Sequence, residues 1–355
     1  GLILCASTGC YQMSNEITIV VPAYNAERVL PRCLESLLAQ TKLPQIIIAN
    51  DGSVDRTAEI ADAAAAQFPA VHVIHMSHGG VNVTRKKAAQ AVETPYFAFL
   101  DADDRLDSLF VEKMMSAAVG QKADIVYCSY RCLYDGVERH VSYGGDATDL
   151  LEREYPVQDN PQLLLSIPTF FWGKVYRTKF FHAVIQFAPD DCVPLEDVPA
   201  IVPLLIQTPR LAKVNEPLYR YTISTHSASR VSKQELTRLI ALRILHQRLN
   251  DSGAMPKFLP QLYALNRCYL YDQLEKLTHY CDPPHQHQVV REYFKHLDET
   301  LPRWRPHPFH PTFYAAYWHL MVTLNALKAR GVQIRDRWRA WFRRQHRGNR
   351  PTPKA

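Results

Sequence analysis

No stretch of this 355-residue sequence holds the roughly 18 to 20 consecutive apolar residues that a bilayer-spanning helix needs. An integral membrane protein is therefore not expected, though attachment to a membrane surface stays open. Glycine is scarce, at 13 residues, and charged residues make up 21% against 47% hydrophobic, which excludes collagen-like, coiled-coil and wholly disordered chains. The eight cysteines, at 5, 10, 33, 128, 132, 192, 268 and 281, contain no C-x-x-C pair, so neither a zinc site nor a disulfide scaffold is indicated. Buried thiols in a reducing compartment are expected instead. The body of the chain also lacks a basic excess. From Lys328 onward ten Lys/Arg face a single acid, Asp336, whereas positions 1–327 carry 31 basic and 34 acidic residues. The net charge of +6 belongs to the tail, and a nucleic-acid partner is not expected. No G-x-G-x-x-G stands after the first strand, where the sequence reads Pro22-Ala23-Tyr24-Asn25-Ala26 instead.

The length exceeds what one compact core usually holds, so a large domain with an appendage, or two domains, is expected. There are no internal repeats. Residues 1–12 differ in character from the rest of the chain and are expected to be an upstream extension. From Glu16 to about Tyr130, strands alternate with helices. Short β-branched or apolar runs at Ile17–Val21, Ile46–Ile48, Val71–Ile74, Tyr96–Leu100 and Asp124–Cys128 are separated by helical patterns, the first marked by Leu30, Cys33, Leu34, Leu37 and Leu38 at i, i+3, i+4, i+7 and i+8. Further helices are expected around 58–67, 81–91 and 109–118. Such alternation predicts an α/β fold, a mostly parallel sheet with helices on both faces, whose ligands gather at the carboxyl ends of the strands. Each polar cluster of interest comes directly after a strand end: Tyr24-Asn25, Asn50-Asp51 and Asp101-Ala102-Asp103-Asp104. Residues 131–230 are less regular, and the pattern from about Lys233 is helical.

The acidic cluster after Phe99-Leu100 is the sharpest of these. Carboxylates one residue apart at a strand terminus can converge on a hard divalent cation. Against this, Asp104 or Asp107 could merely cap the next helix, the others being solvated.

Three segments together resemble the signatures of family 2 glycosyltransferases in order and spacing: Ile17-Thr18-Ile19-Val20-Val21-Pro22-Ala23-Tyr24-Asn25, Asn50-Asp51-Gly52-Ser53-Val54-Asp55, and Phe99 through Asp104. Trp172-Gly173-Lys174-Val175-Tyr176, Glu196-Asp197 and His226 extend the likeness loosely to about 230. The resemblance implies a GT-A fold, Rossmann-like, over residues 13–230, with a helical region at 231–330 and a basic tail at 331–355. It also implies transfer with inversion from a nucleotide-sugar donor, a UDP-sugar, using Mn²⁺ or Mg²⁺. Pro22, Ala23, Tyr24 and Asn25 would line the nucleotide pocket, with Arg85 and Ala102 beside it. Asp51 would accept a hydrogen bond from the base, the alternative being an Asx-turn ahead of Ser53. Asp101 would lie near ribose or metal, Asp103 would ligate the metal, and His226 could join it. The acceptor hydroxyl needs a base; the resemblance gives that role to Asp197, with Glu196 as orienter, unless Asp197 is simply a helix N-cap. Lys174 would counter the diphosphate or lie on a solvated strand, and Trp172 would be core or an acceptor platform. The sequence departs from the family pattern at Asn50, Thr84, Lys86, Ala88 and Gly173.

Phe313, Tyr317, Leu320, Met321, Leu324 and Leu327 form a helical stripe ahead of Trp338, Trp341 and Phe342 among the tail arginines. Such a segment suits an anionic membrane surface, or packs on the body with its arginines solvated. Expected partners are the donor, a glycan or lipid-linked acceptor and that surface, on the cytoplasmic side of a bacterial membrane. Homo-oligomers remain open. The competing readings are a dinucleotide-dependent oxidoreductase and a non-catalytic protein that works through its basic tail.

Overall fold

The computed structural model describes residues 13–134, 137–141, 156–189, 195–223, 237–262 and 264–266, with Glu292 and Lys295. Its chain divides into two compact units, 1–268 and 269–355. The expectations for residues 1–12, His226, the carboxy-terminal stripe and the basic tail fall outside the described residues.

The elements of the first unit are β1 (Met13–Ala23), α1 (Leu30–Leu38), β2 (Leu43–Asp51), α2 (Thr57–Gln67), β3 (Val71–Met76), α3 (Val81–Gln90), β4 (Tyr96–Phe99), β5 (Arg105–Leu106), α4 (Phe110–Gly120), β6 (Ile125–Tyr134), β7 (Val137–Val141), β8 (Lys174–Arg177), α5 (Thr178–Val184), α6 (Val198–Ile206), β9 (Leu211–Ile223) and α7 (Thr237–Asp251). The sheet runs β3-β2-β1-β4-β8-β6-β9-β5, with β7 on the side of β6. Strands β1 to β4 are mutually parallel, as the alternation requires. Beyond them β8 is inserted antiparallel between β4 and β6, and β5 and β7 are also antiparallel to their neighbours, so the second half is more mixed than the sequence pattern indicates.

The central strands are buried on both faces. Ile17, Ile19 and Val21 join α1 and α4 in one core, while Val20 and Phe97 face the other side. The α1 stripe lies as its spacing dictates, with Leu30, Cys33, Leu34 and Leu37 buried and Leu38 partly so. Full burial of a leucine contributes roughly 1.5 to 3 kcal/mol, enough to fix which face of this short helix turns inward.

Chain order reverses at β1, with β2 and β3 on one side and β4 on the other, which makes the carboxyl ends of β1 and β4 the switch point where sheets of this kind form their binding crevice. The register shows where. The last β1–β4 pair is Val20 with Phe99, whereas β1 continues beside β2 through Pro22 and Ala23. Pro22, which has no N–H, thus lies past the point at which β4 departs and leaves no ladder bond unmade there.

Candidate active site

Three loops meet at this crevice. The first comes after β1, where Asn25 adopts a left-handed backbone, φ 48°, tolerated by its short polar side chain. Its N–H donates to Ser53 Oγ, and its side-chain oxygen accepts from the Val54 N–H. Asn25 therefore straps the first loop to the second. Pro22 and Ala23 are buried, whereas Tyr24 is 47% exposed and stacks on His78 with ring centroids 4.2 Å apart.

The second loop turns at Gly52, φ +65°, where a Cβ would come within 2.7 Å of the His78 nitrogen, so only glycine fits. Asn50, not Asp51, makes the Asx-type bond, accepting from the Ser53 N–H. Asp51 reaches across to the loop before α3 and accepts from the N–H groups of Gly79 and Gly80, both at 2.9 Å, with His78 Nδ1 3.0 Å away. Its carboxylate is nearly all buried, so it organises that loop.

The third loop is Asp101 to Asp104. Ala102 and Asp104 point inward, Asp101 is half-buried and Asp103 is exposed. Asp104 is neither solvated nor a helix cap. Its carboxylate accepts from the Tyr219 hydroxyl at 2.6 Å and the Thr222 N–H at 2.7 Å, pinning the loop to β9. Burial, then the neighbouring Asp103 and Asp101 charges, push its pKa well up. Asp107 does serve the start of α4, accepting from the Leu109 N–H. Asp103 is pushed up to about 6, by desolvation first and the Asp101 charge second.

Arg85 joins these loops to the Glu196-Asp197 turn. Ala88 and Ala89, fully buried, let α3 lie close against the sheet and carry Arg85 inward, leaving it 4% exposed. One guanidinium nitrogen lies 2.9 Å from Asp101; the other lies 3.0 Å from Glu196 and 3.4 Å from Asp197. The group also lies over the Phe171 ring, 5.1 Å from its centroid. Burial alone would ease off its proton, but the three carboxylates outweigh that and hold it charged. Arg85 is thus the hub of the acidic cluster. Asp197 occupies the N-cap position of α6 without making a side-chain cap bond. Desolvation and the Glu196 charge raise its pKa well above the ordinary carboxylate value, opposed by Arg85.

Two expectations meet a different environment. Lys174 has no exposed surface, donates to the Phe170 carbonyl at 2.8 Å and is lowered to about 7, by burial first and against the pull of Asp197. It is on no solvated strand and has no surface with which to meet a diphosphate. Trp172 is buried with Phe170, Tyr219 and Tyr221 stacked on it at 4.5, 4.5 and 5.0 Å, so it is core and offers no acceptor platform. Gly173, φ +69°, explains one departure from the family pattern, since glycine and asparagine are the residues that most readily take this conformation. His78 escapes a reading of the sequence; its only signal there is a polar residue after the end of β3.

The chemistry of the donors suits a hard cation, because Asp101 and exposed Asp103 are carboxylates on one loop. Among the described residues no group of three or more His, Cys, Asp or Glu is placed to hold a metal ion.

Residues 18–177 match the family described as Glycosyl transferase family 2. Over these residues the chain is similar to family 2 glycosyltransferases. The chain is 28% identical to the uncharacterized glycosyltransferase EpsJ of Bacillus subtilis over 220 residues, 61% of this chain and 63% of that one. It is 35% identical to the uncharacterized glycosyltransferase YibD of Escherichia coli over 117 residues, 33% of this chain and 34% of the relative. The chain spans between a third and just under two thirds of the length of such relatives. In fold it is similar to residues 1–349 of S. aureus TarS solved in complex with UDP-GlcNAc, with a TM-score of 0.66 at 16% identity over 81% of this chain and 82% of that one. The mannosyltransferase PcManGT of Pyrobaculum calidifontis, solved with GDP-Man and Mn²⁺, gives 0.50 at 12% identity over 89% and 87%.

Proposed function

We propose that this protein is an inverting, metal-dependent glycosyltransferase that moves a sugar from a UDP-sugar to a hydroxyl of a saccharide or lipid-linked acceptor in bacterial surface polysaccharide assembly. The observation that carries the proposal is the convergence on Arg85 of Asp101, from the end of β4, and of Glu196 and Asp197, from the start of α6. A donor-side carboxylate and a candidate base are thereby held across one crevice.

The uridine lies against Pro22, Ala23 and the exposed Tyr24, with Asp51 fixing the adjoining loop and meeting the base through its remaining lone pairs. A divalent cation held by Asp101 and Asp103 offsets the charge of the leaving diphosphate when bound. Asp197 takes the proton from the acceptor hydroxyl, and its raised pKa suits that task. Glu196 shares the same nitrogen of Arg85 and so orients the base. Attack from the acceptor side in one displacement inverts the anomeric carbon. His226 as a third metal contact and the basic tail as an anchor to an anionic membrane belong to the same proposal. The family domain and the TarS and EpsJ likenesses support it.

The test is donor hydrolysis over a panel of nucleotide sugars with Mn²⁺, repeated on Asp197→Asn. Loss of a general base costs about 10²- to 10⁴-fold in kcat with the donor KM kept. Equal turnover in the variant would remove Asp197 from the chemistry.

A further inference from the structure

Asn50 and His75 are directly paired across β2 and β3, so their side chains leave the sheet on the same face. The Asn50 amide nitrogen lies 3.1 Å from His75 Nδ1, and His75 Nε2 lies 3.0 Å from a carboxylate oxygen of Asp62 on α2. These contacts fix where each proton stands. The Asn50 side-chain oxygen already accepts from the Ser53 N–H, so its nitrogen is the atom that faces the ring. An amide nitrogen only donates, so Nδ1 is the acceptor and the ring proton is on Nε2, directed at Asp62. Asp62 thus selects the tautomer, and the tautomer selects the orientation of Asn50, which is 4% exposed and cannot turn to water instead.

The Ser53 hydroxyl accepts from the Asn25 N–H, and the next N–H, that of Val54, donates to the Asn25 side chain. A line of hydrogen bonds therefore runs from Asp62 through His75, Asn50 and Ser53 to the strap between the first two loops of the crevice. A second proton on the imidazole reverses its logic. Nδ1–H would then face the Asn50 NH₂, donor against donor, while the attraction to Asp62 grows. A charge-assisted hydrogen bond is about twice as strong as a neutral one, so the amide turns over to offer its oxygen to the ring. Its NH₂ then opposes the Ser53 N–H, and that bond is lost. Among the described residues Asp62 is the charged group that touches the ring; Glu59, one turn earlier on α2, is paired with Arg56, and β2 presents neutral Asn50.

We infer that His75 is a positioning residue: neutral, it holds Asn50 in the one orientation that ties down Ser53, and doubly protonated it releases the loop that faces the donor. The effect on the donor rests on the transferase reading; the state of the loop does not.

The experiment follows amide hydrogen exchange of the full chain, as protection relative to the unfolded rate, at about pH 8 and about pH 5, the window in which histidine changes charge. Uridine is titrated in parallel, since it needs no metal and carries no group that ionises in that window. In the wild type, Ser53 loses about three- to tenfold in protection at the lower pH, the worth of one hydrogen bond, and uridine affinity falls with it. Gly79 and Gly80, bonded to Asp51, keep their protection. His75→Asn, whose oxygen can stand where Nδ1 does and takes up no proton, keeps Ser53 protected and uridine bound at both pH values. His75→Leu, which has no acceptor, shows the low values at both. Equal Ser53 protection in the wild type and His75→Leu at pH 8 would overturn the inference, as would an acid loss undiminished in His75→Asn or shared by Gly79 and Gly80. A Ser53 response with constant uridine affinity would make His75 merely structural. Failure of the wild type to bind uridine at all would sink the transferase reading and leave Ser53 to judge the role of His75.

Discussion

Replacing Lys174 with methionine should make the protein more stable at acid pH and progressively less advantaged as pH rises. The ammonium is fully buried, and its pKa falls from 10.5 to about 7. A lysine depressed in the folded state binds fewer protons there than when unfolded between those two values, so stability of the wild type rises with pH across that window. Below about 7 the cost is complete, because both states are then protonated and the buried charge must be carried. A tenfold change in proton affinity is worth about 1.4 kcal/mol, so the full cost comes to about 5 kcal/mol and by pH 9 has fallen to about 2. Methionine removes it at the loss of the bond to the Phe170 carbonyl, about 1 kcal/mol net. Denaturant unfolding of both proteins at pH 6 and pH 9 should show the gap closing by about 2 to 3 kcal/mol at the higher pH. Parallel stability curves would refute the reasoning, and a methionine protein less stable at pH 6 would show that Lys174 finds compensation within the fold.

Two other substitutions probe the site. Arg85→Met leaves Asp101, Glu196 and Asp197 without their shared cation and should cost about 3 to 5 kcal/mol, with the deficit smaller at pH 5 than at pH 8 because the carboxylates can then take up protons. Unfolding at the two pH values measures it. Gly52→Ala places a Cβ 2.7 Å from the His78 nitrogen at φ +65°, so about 1 to 3 kcal/mol should be lost. Amide hydrogen exchange at Gly79 and Gly80, whose N–H groups bond Asp51, should quicken in the same variant.

The first half of the fold is legible in the sequence because its strands are short β-branched runs and its helices carry stripes, both of them local signals. The α1 stripe and the strand at Ile17–Val21 fall where that periodicity puts them. The antiparallel insertion of β8 is not legible. Lys174 to Arg177 pairs with β4 and β6, strands nearly 80 and 50 residues away, and no local pattern encodes such a register. The same limit hides the roles of individual side chains. Asp101, Asp103 and Asp197 stand out as strand-end or turn carboxylates, but that Asp104 is anchored by Tyr219, and that Arg85 holds Glu196, depends on residues more than 100 positions apart. Lys174 misleads for a related reason: a lysine in a short strand is usually on its wet face, and here both faces are covered.

The central claim is that the crevice between β1 and β4 holds a nucleoside diphosphate through a cation on Asp101 and Asp103. Thermal denaturation of the full chain with uridine diphosphate, with and without Mn²⁺, for wild type and Asp103→Asn, tests it most directly. Ligand at a hundred times its dissociation constant adds about 2.7 kcal/mol, and that gain should appear in the wild type only when Mn²⁺ is present and vanish in Asp103→Asn. An equal shift without the metal or in the variant, or a shift with a nicotinamide dinucleotide alone, would contradict it.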